Sequence, residues 1–223
     1  MPAPKPTLIF HFTPVGNLER LGRADALLSK ARLARAGLQH ENASYAQIQE
    51  RRALKAVPVP PGGVLHDYVP FYFAPRSPML LTINSGNVPG VDLRQEDFAY
   101  LVSTAQAISA RQQFAFTNMH AVLDLADFFD DLANLDRVSW DLILETPHIQ
   151  GGYCKFWQNR NDPLRYVRRM EARQAEFLAY DSVNLADITQ IVVMTEAAKT
   201  KAERGLAASG WEVPVSIVRD WYY

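Results

Sequence analysis

Residues 45–81, YAQIQERRALKAVPVPPGGVLHDYVPFYFAPRSPMLL, decide how this chain is read. Three textures meet there: a helical run ending in Arg51-Arg52, a Pro/Gly segment, and an aromatic strand from Val69 to Phe73 that stops at Pro75. Ser44, with Gln47 three residues on, has the spacing of a capping box and predicts the helix start. Pro58, Pro60, Pro61, Gly62 and Gly63 form a stiff connector, too tightly flanked to join two domains. Pro70 cannot donate to a strand ladder, so it predicts the first residues of a strand or a sheet edge. A purely structural element seldom brings Arg51-Arg52, His66-Asp67 and Arg76-Ser77 so close together. The stretch is therefore expected to be one wall of an active site.

Upstream, Thr7–Phe12 reads as a strand broken by Pro14 and Gly16. Asn17 is placed to begin a helix running through Leu18, Leu21 and Leu28, and Gly37 is a stop signal. Downstream, Phe98–Ser103, Phe114–Thr117, Glu176–Tyr180, Ile188–Met194 and Val213–Val218 read as strands. Ala105–Arg111, 195–208 and Arg165–Ala175 read as helices, and Leu125, Phe128, Phe129 and Leu132 have the spacing of an amphipathic helix over 124–135. Short strands interrupted by helices, without regular βαβ alternation, predict an α+β fold with a mainly antiparallel, mixed or split sheet.

The chain has 223 residues, 48% hydrophobic and 21% charged, which suits one globular domain. One cysteine, Cys154, excludes an internal disulfide framework and fits a reducing cytosol. No apolar run approaches a membrane span, and MPAPKPTLIFHFT lacks a signal-peptide core, so a cytoplasmic location is expected. The net charge of −1 hides an asymmetry: 124–136 holds five Asp and no Lys or Arg, whereas 155–173 holds six basic residues against Asp162 and Glu171. No GxGxxG, P-loop, HExxH or CxxC occurs, and the five histidines lack ligand spacing, so no metal site is expected.

Each candidate residue also has a plainer role. His11 and Thr13, in HFT at a strand end, offer hydrogen bonds to a ligand hydroxyl with Phe12 between them, although a core histidine is the simpler reading. Arg51 and Arg52 near a helix end suit the helix dipole, or a phosphate or base met by a guanidinium fork. In GGYCKFWQNRNDPLRYVRR, residues 151–169, aromatics alternate with cations. Tyr153, Phe156 and Trp157 with Lys155, Arg165, Arg168 and Arg169 are the parts of a single-strand nucleic-acid surface. Glu176 directly follows that segment.

These residues resemble the DarT family of bacterial DNA ADP-ribosyltransferase toxins. The resemblance is carried along the chain by HFT (11–13) with Asn17-Leu18, IQERR (48–52), HDYVPFYFAPRSPML (66–80), FTNMHAVL (116–123), RQAEFLAY (173–180) and DWYY (220–223). It implies the ADP-ribosyltransferase fold, two packed mainly antiparallel β-sheets with flanking helices, as a single domain over 1–223 with 146–175 as the substrate-recognition loop. It implies NAD⁺ as substrate and transfer of ADP-ribose to thymine in single-stranded DNA. A related branch modifies guanine, and the residues are also compatible with an RNA-directed enzyme or an inactive single-strand binding module. The same resemblance implies a toxin role and a macrodomain (DarG-like) antitoxin. Residue by residue, it implies Arg51 and Glu176 as catalytic. His11, Phe12, Thr13, Asn17, Arg51, Tyr68, Phe71 and Tyr72 would bind the cofactor, and His120 would lie near the substrate.

Overall fold

The computed structural model describes residues 1–38, 46–88, 90, 92–145 and 158–223. Its elements begin with β1 (Leu8–Pro14), α1 (Leu18–Ala24), β2 (Ala26–Leu28), α2 (Lys30–Arg35), α3 (Ala46–Leu54), β3 (Tyr68–Tyr72) and α4 (Pro78–Asn84). They continue with β4 (Phe98–Thr104), α5 (Ala105–Ser109), β5 (Phe114–His120), β6 (Phe128–Phe129) and α6 (Trp140–Ile143). The last are α7 (Arg169–Ala172), β7 (Ala175–Tyr180), β8 (Ser182–Asn184), β9 (Gln190–Val193), α8 (Glu196–Ser209) and β10 (Val215–Ile217).

Eight strands line up as β10-β9-β4-β1-β3-β7-β5-β6, and β2 pairs with β8 in a small second sheet. Within the large sheet only β10 and β9 run parallel to each other. β1 and β4 pair from Leu8↔Thr104 to Pro14↔Phe98, and β3 and β7 pair from Tyr68↔Tyr180 to Tyr72↔Glu176. Between these two well-knit halves, β1 and β3 share a single register pair, Phe10↔Tyr72. The sheet is split there.

Pro70 explains part of the split, and its predicted place needs correcting. It lies mid-strand in an interior strand rather than at an edge. Its missing N–H is tolerated because the seam toward β1 is open, and its carbonyl accepts a hydrogen bond from His11 Nδ1 at 2.8 Å. Around the seam, strand alternation sorts the side chains. Val69, Phe71, Phe73 and Phe177 enter the main core with Ile9, Leu101, Phe116 and Trp140. Tyr72 and Glu176, which pair across β3 and β7, lie on the other face. Ala198, Ala202 and Leu206 of α8, one turn apart, seal the core from its own side. Gly22 and Gly205 let α1 and α8 approach closely, since a Cβ on Gly22 would lie 2.1 Å from Ser209 Oγ.

Three predicted helices are shorter or absent. The run from Leu18 ends at Asp25, which adopts a left-handed φ of 50°, and Leu27 and Leu28 belong to β2. Over 124–135 turns lead into β6 and a 3-10 run at Leu132–Arg137. Phe129 is drawn across to Phe116, the rings stacking at 5.1 Å. Asp127 exchanges two hydrogen bonds with Asn118, whose side-chain oxygen accepts from the Asp127 N–H, and Asp131 caps Ala133 N, so side chains satisfy these backbone groups in a non-helical form. Over 165–175 only α7 is α-helical. The cap predicted at Ser44 lies outside the described residues. Among the described residues, no helix is long and apolar enough to cross a membrane.

Candidate active site

The split between β1 and β3 opens into a cavity of about 740 Å³, well within the range that holds a cofactor-sized molecule. Glu176, the second residue of β7, is set into its wall and is 2% exposed. Its backbone N–H donates to Thr117 Oγ1 (3.1 Å), which ties this point of β7 to β5. A buried carboxylate needs charge and hydrogen-bond partners. Arg52 Nη1 supplies both, reaching Oε1 at 3.0 Å and Oε2 at 2.8 Å, and the Ala121 N–H donates to Oε1 at 3.2 Å. The second guanidinium nitrogen, Nη2, is buried and, among the described residues, has no hydrogen-bond partner, although Arg52 lines the cavity. A guanidinium carries five N–H donors, so this arginine keeps donors for a ligand after satisfying Glu176.

Arg52 as the partner of Glu176 is what the sequence reading missed. Consecutive residues of a helix point about 100° apart, so the two arginines cannot share a role. Ile48, Gln49 and Arg52 form the face of α3 that lines the cavity. Arg51 is exposed and donates from Nη2 to the Val122 carbonyl at 3.2 Å. It stands at the outer rim, close enough for its charge to act on His120. Residues 48 and 49 lie four and three positions before 52, the offsets that put them on one helical face with Arg52, and that spacing was the signal available in the sequence.

His11, Phe12, Thr13 and Asn17 also line the cavity, from the β1 side. Hydrogen bonding to a carbonyl requires His11 to carry its proton on Nδ1, which makes Nε2 the acceptor nitrogen of the neutral ring. Asn17 Nδ2 donates to Thr13 Oγ1 at 3.1 Å, and both residues are buried. Phe12 stacks on Tyr72 across the seam, centroids 6.1 Å apart. Tyr68 and Phe71 complete that wall, with Phe71 5.6 Å from the His11 ring. Burial pushes the Tyr68 hydroxyl up to about 12, and its O–H donates to the Gly62 carbonyl at 2.6 Å. Burial first, then the Glu176 charge, holds the Tyr72 hydroxyl far above its ordinary value. Both tyrosines are neutral donors at physiological pH.

His120 closes the cavity beside Glu176, its Nε2 3.9 Å from Oε1. Desolvation lowers its pKa most; the pull of Glu176 upward is opposed by Arg52 and Arg51. The ring is therefore neutral near pH 7. Of the charged residues along the cavity, Arg20, Arg23, Lys30 and Arg52 are basic and Glu176 is acidic. Such a lining favours an anionic guest.

The segment expected to recognise the target reaches this cavity through Met170 and Gln174, which lie along it. Tyr153, Lys155, Phe156 and Trp157 lie outside the described residues. The Arg169 guanidinium sits 3.9 Å from the Tyr166 ring centroid and that of Arg165 4.7 Å. Glu145 anchors all three, accepting from Arg169 Nη2 at 2.6 Å, from the Tyr166 hydroxyl at 2.5 Å and from Arg165 at 3.4 Å. Arg169 is buried by this arrangement, Arg165 is half-exposed, and Arg168 is exposed. The cavity thus gathers Glu176, His120, His11, Phe12, Thr13, Asn17, Tyr68, Phe71 and Tyr72, while Arg51 stays at the rim and Arg165, Arg168 and Arg169 stay outside.

Residues 10–223 match the family described as "ssDNA thymidine ADP-ribosyltransferase, DarT". The chain belongs to the DarT family. A DNA ADP-ribosyl transferase of Thermus sp. (strain 2.9) is 39% identical over 223 residues, covering 99% of this chain and 98% of the relative. A DNA ADP-ribosyl transferase of Escherichia coli O127:H6 is 31% identical over 175 residues, 78% of this chain and 74% of the relative. Thermus sp. 2.9 DarT in complex with ADP-ribosylated ssDNA superposes with a TM-score of 0.86 at 37% identity, covering 100% of this chain and 99% of that one. The same DarT in complex with NAD⁺ gives 0.82 at 34% identity, each chain covered in full. The split-sheet architecture is accordingly the DarT fold, and the cavity lies at its seam.

Proposed function

We propose that this DarT protein transfers ADP-ribose from NAD⁺ to thymine in single-stranded DNA and releases nicotinamide. The observation that carries this reading is the buried Glu176 carboxylate, fixed by Arg52 and the Ala121 N–H at the wall of a cation-lined cavity of cofactor size. Arg20, Arg23 and Lys30 supply charge for the pyrophosphate. His11 and Thr13, with Asn17 behind, take the nicotinamide end, and Phe12, Tyr68, Phe71 and Tyr72 form the wall it rests on.

In the reaction, the bond between the ribose anomeric carbon and the nicotinamide nitrogen breaks, and its electron pair leaves with nicotinamide. Thymine N3 supplies the pair for the new bond, and its proton goes to solvent. Positive charge develops on the ribose in between, and an oriented carboxylate in a water-poor site stabilises it. Glu176 does so while accepting a ribose hydroxyl, because Arg52 and Ala121 already hold its oxygens in place. N3 is a weak nucleophile while it keeps its proton. Arg51 at the rim favours the anionic base by its permanent charge rather than acting as a base, since a guanidinium does not deprotonate in proteins. N3 is also occupied in a duplex, so an unpaired base is required.

Residues 1–223 act as one domain in this reading, with 146–175 as the segment that recognises the target. Tyr153, Lys155, Phe156 and Trp157 stack and steer the strand, Arg165 and Arg168 add charge, and Arg169 holds the segment in shape. Family membership supports a toxin role in the cytoplasm, with a macrodomain (DarG-like) antitoxin as partner.

The test uses purified protein, NAD⁺ and single-stranded oligonucleotides each lacking one base. Mass spectrometry is expected to find one added ADP-ribose per modified thymine and none on thymine-free strands. Glu176→Ala should lower the rate by about 10²–10³-fold or more, the cost of removing a preorganised electrostatic group. Modification of guanine alone would overturn the thymine assignment, and absence of any product would overturn the enzymatic one.

A further inference from the structure

The wall of the cavity carries a polar cluster centred on Gln49, a residue to which the reaction above gives no role. The side-chain oxygen of Gln49 accepts a hydrogen bond from Lys30 Nζ at 2.8 Å and lies 3.1 Å from His66 Nε2. Lysine has only donors, so the atom it meets is the oxygen of the amide. His66 meets the same oxygen and therefore carries a proton on Nε2. One amide thus ties α3 to the start of α2 and to the turn that leads into β3.

Among the described residues, α3 has few other contacts to hold it. Of its side chains from 47 to 54, only that of Arg52 is buried, Arg51 and Ala53 are exposed, and Leu54 is 83% exposed. Among the described residues, no apolar stripe sets the rotation of this helix. Polar contacts do: Arg52 with Glu176, Arg51 with the Val122 carbonyl, and Gln49 with Lys30 and His66. Gln49 and Arg52 are three residues apart on one face, so whatever fixes the first orients the second. A glutamate at 49 would accept the same two hydrogen bonds, but it would compete with Glu176 for Arg52. A neutral amide orients without competing.

We propose that Gln49 is a positioning residue for ADP-ribose transfer, its side-chain oxygen setting the rotation of α3 that brings Arg52 onto Glu176 and Arg51 to the rim. This inference rests on the activity proposed above. The groups facing His66 are Lys30 of α2, Arg52 of α3 and Asp67 of its own turn, and burial with the two cations keeps its ring neutral down to about pH 4. The network is therefore unchanged across the pH range of an ordinary assay.

Steady-state kinetics of the full chain with NAD⁺ and a thymine-containing strand test the proposal. Gln49→Met, close in size but without the acceptor, is expected to lower kcat about 10–100-fold, the scale set by an ångström of misplacement. KM for NAD⁺ should stay within about threefold, and the thermal midpoint should move little. His66→Leu should give a similar loss, His66→Gln should restore part of it, and the double variant Gln49→Met/His66→Leu should lose no more than either alone. Wild-type kcat in Gln49→Met, or a loss that tracks KM or the thermal midpoint, would overturn the positioning role while leaving the activity standing. A wild-type protein that labels no strand would overturn both.

Discussion

Glu176 and Arg52 act as one unit, and the neighbouring Arg51 does not belong to it. Removing one partner of a buried ion pair strands the other charge, which costs about 3–5 kcal/mol. Arg52→Met should therefore unfold at clearly lower denaturant as well as lose activity, because among the described residues Glu176 keeps only the Ala121 N–H as a hydrogen-bond donor to its carboxylate. Arg51→Met, at an exposed position, should change stability by no more than about 0.5 kcal/mol while still impairing transfer. Urea titration of both variants beside the labelling assay separates the two roles; equal stability losses would remove the distinction. His66 supplies a pH signature. Its folded pKa of about 4 lies below the ordinary 6.5, so the unfolded chain binds the extra proton between those values. Stability is thus expected to fall as pH drops from about 6.5 toward about 4, with the half-buried, neutral His120 adding in the same direction. His66→Gln should flatten part of that slope in urea titrations at pH 5 and pH 7.5.

The connector between α3 and β3 shows how one element fixes another. Gly63 has a φ of +81°, and a Cβ there would lie 2.6 Å from Asp67 Oδ2, the atom that accepts from Val64 N. Gly62, at +84°, would meet nothing. Gly62→Ala should cost about 1–2 kcal/mol of backbone strain. Gly63→Ala should cost more, because Asp67 must also move, and the denaturant midpoints of the two variants read the difference. The Pro/Gly texture was legible as a stiff link; which glycine bears on Asp67 was not. Segment 124–135 makes the same point from the other side. Its apolar spacing matched a helix, but Phe129 stacks on Phe116 and Asp127 pairs with Asn118. Partners in another strand outweighed local periodicity.

At the scale of the molecule, a chain of net charge −1 concentrates cations along its cavity and around 158–173. Binding of single strands should weaken as salt rises, with a slope of about −0.7 per phosphate contact. Arg168→Ala, at an exposed position, is expected to make that slope shallower by about 0.7; an unchanged slope would place the strand elsewhere. The C-terminal DWYY closes the fold at a distance: the Tyr222 hydroxyl reaches the carbonyls of Phe98 and Val192, at 3.1 and 3.0 Å, and the Arg76 guanidinium donates to the Tyr222 carbonyl at 2.9 Å. By itself the sequence determined where most strands lie along the chain, the α+β class and, through runs such as HDYVPFYFAPRSPML, the resemblance to the family, because strand alternation and such runs are local and specific; the resemblance in turn implied His11, Tyr72 and Glu176 for one site. Only the tertiary structure decided that the sheet splits at Pro70, that Arg52 rather than Arg51 holds Glu176, and that Gln49 anchors the helix bearing both arginines. Each of those depends on which side chains meet across 17 to 124 residues of chain, and adjacency in sequence carries no information about that meeting.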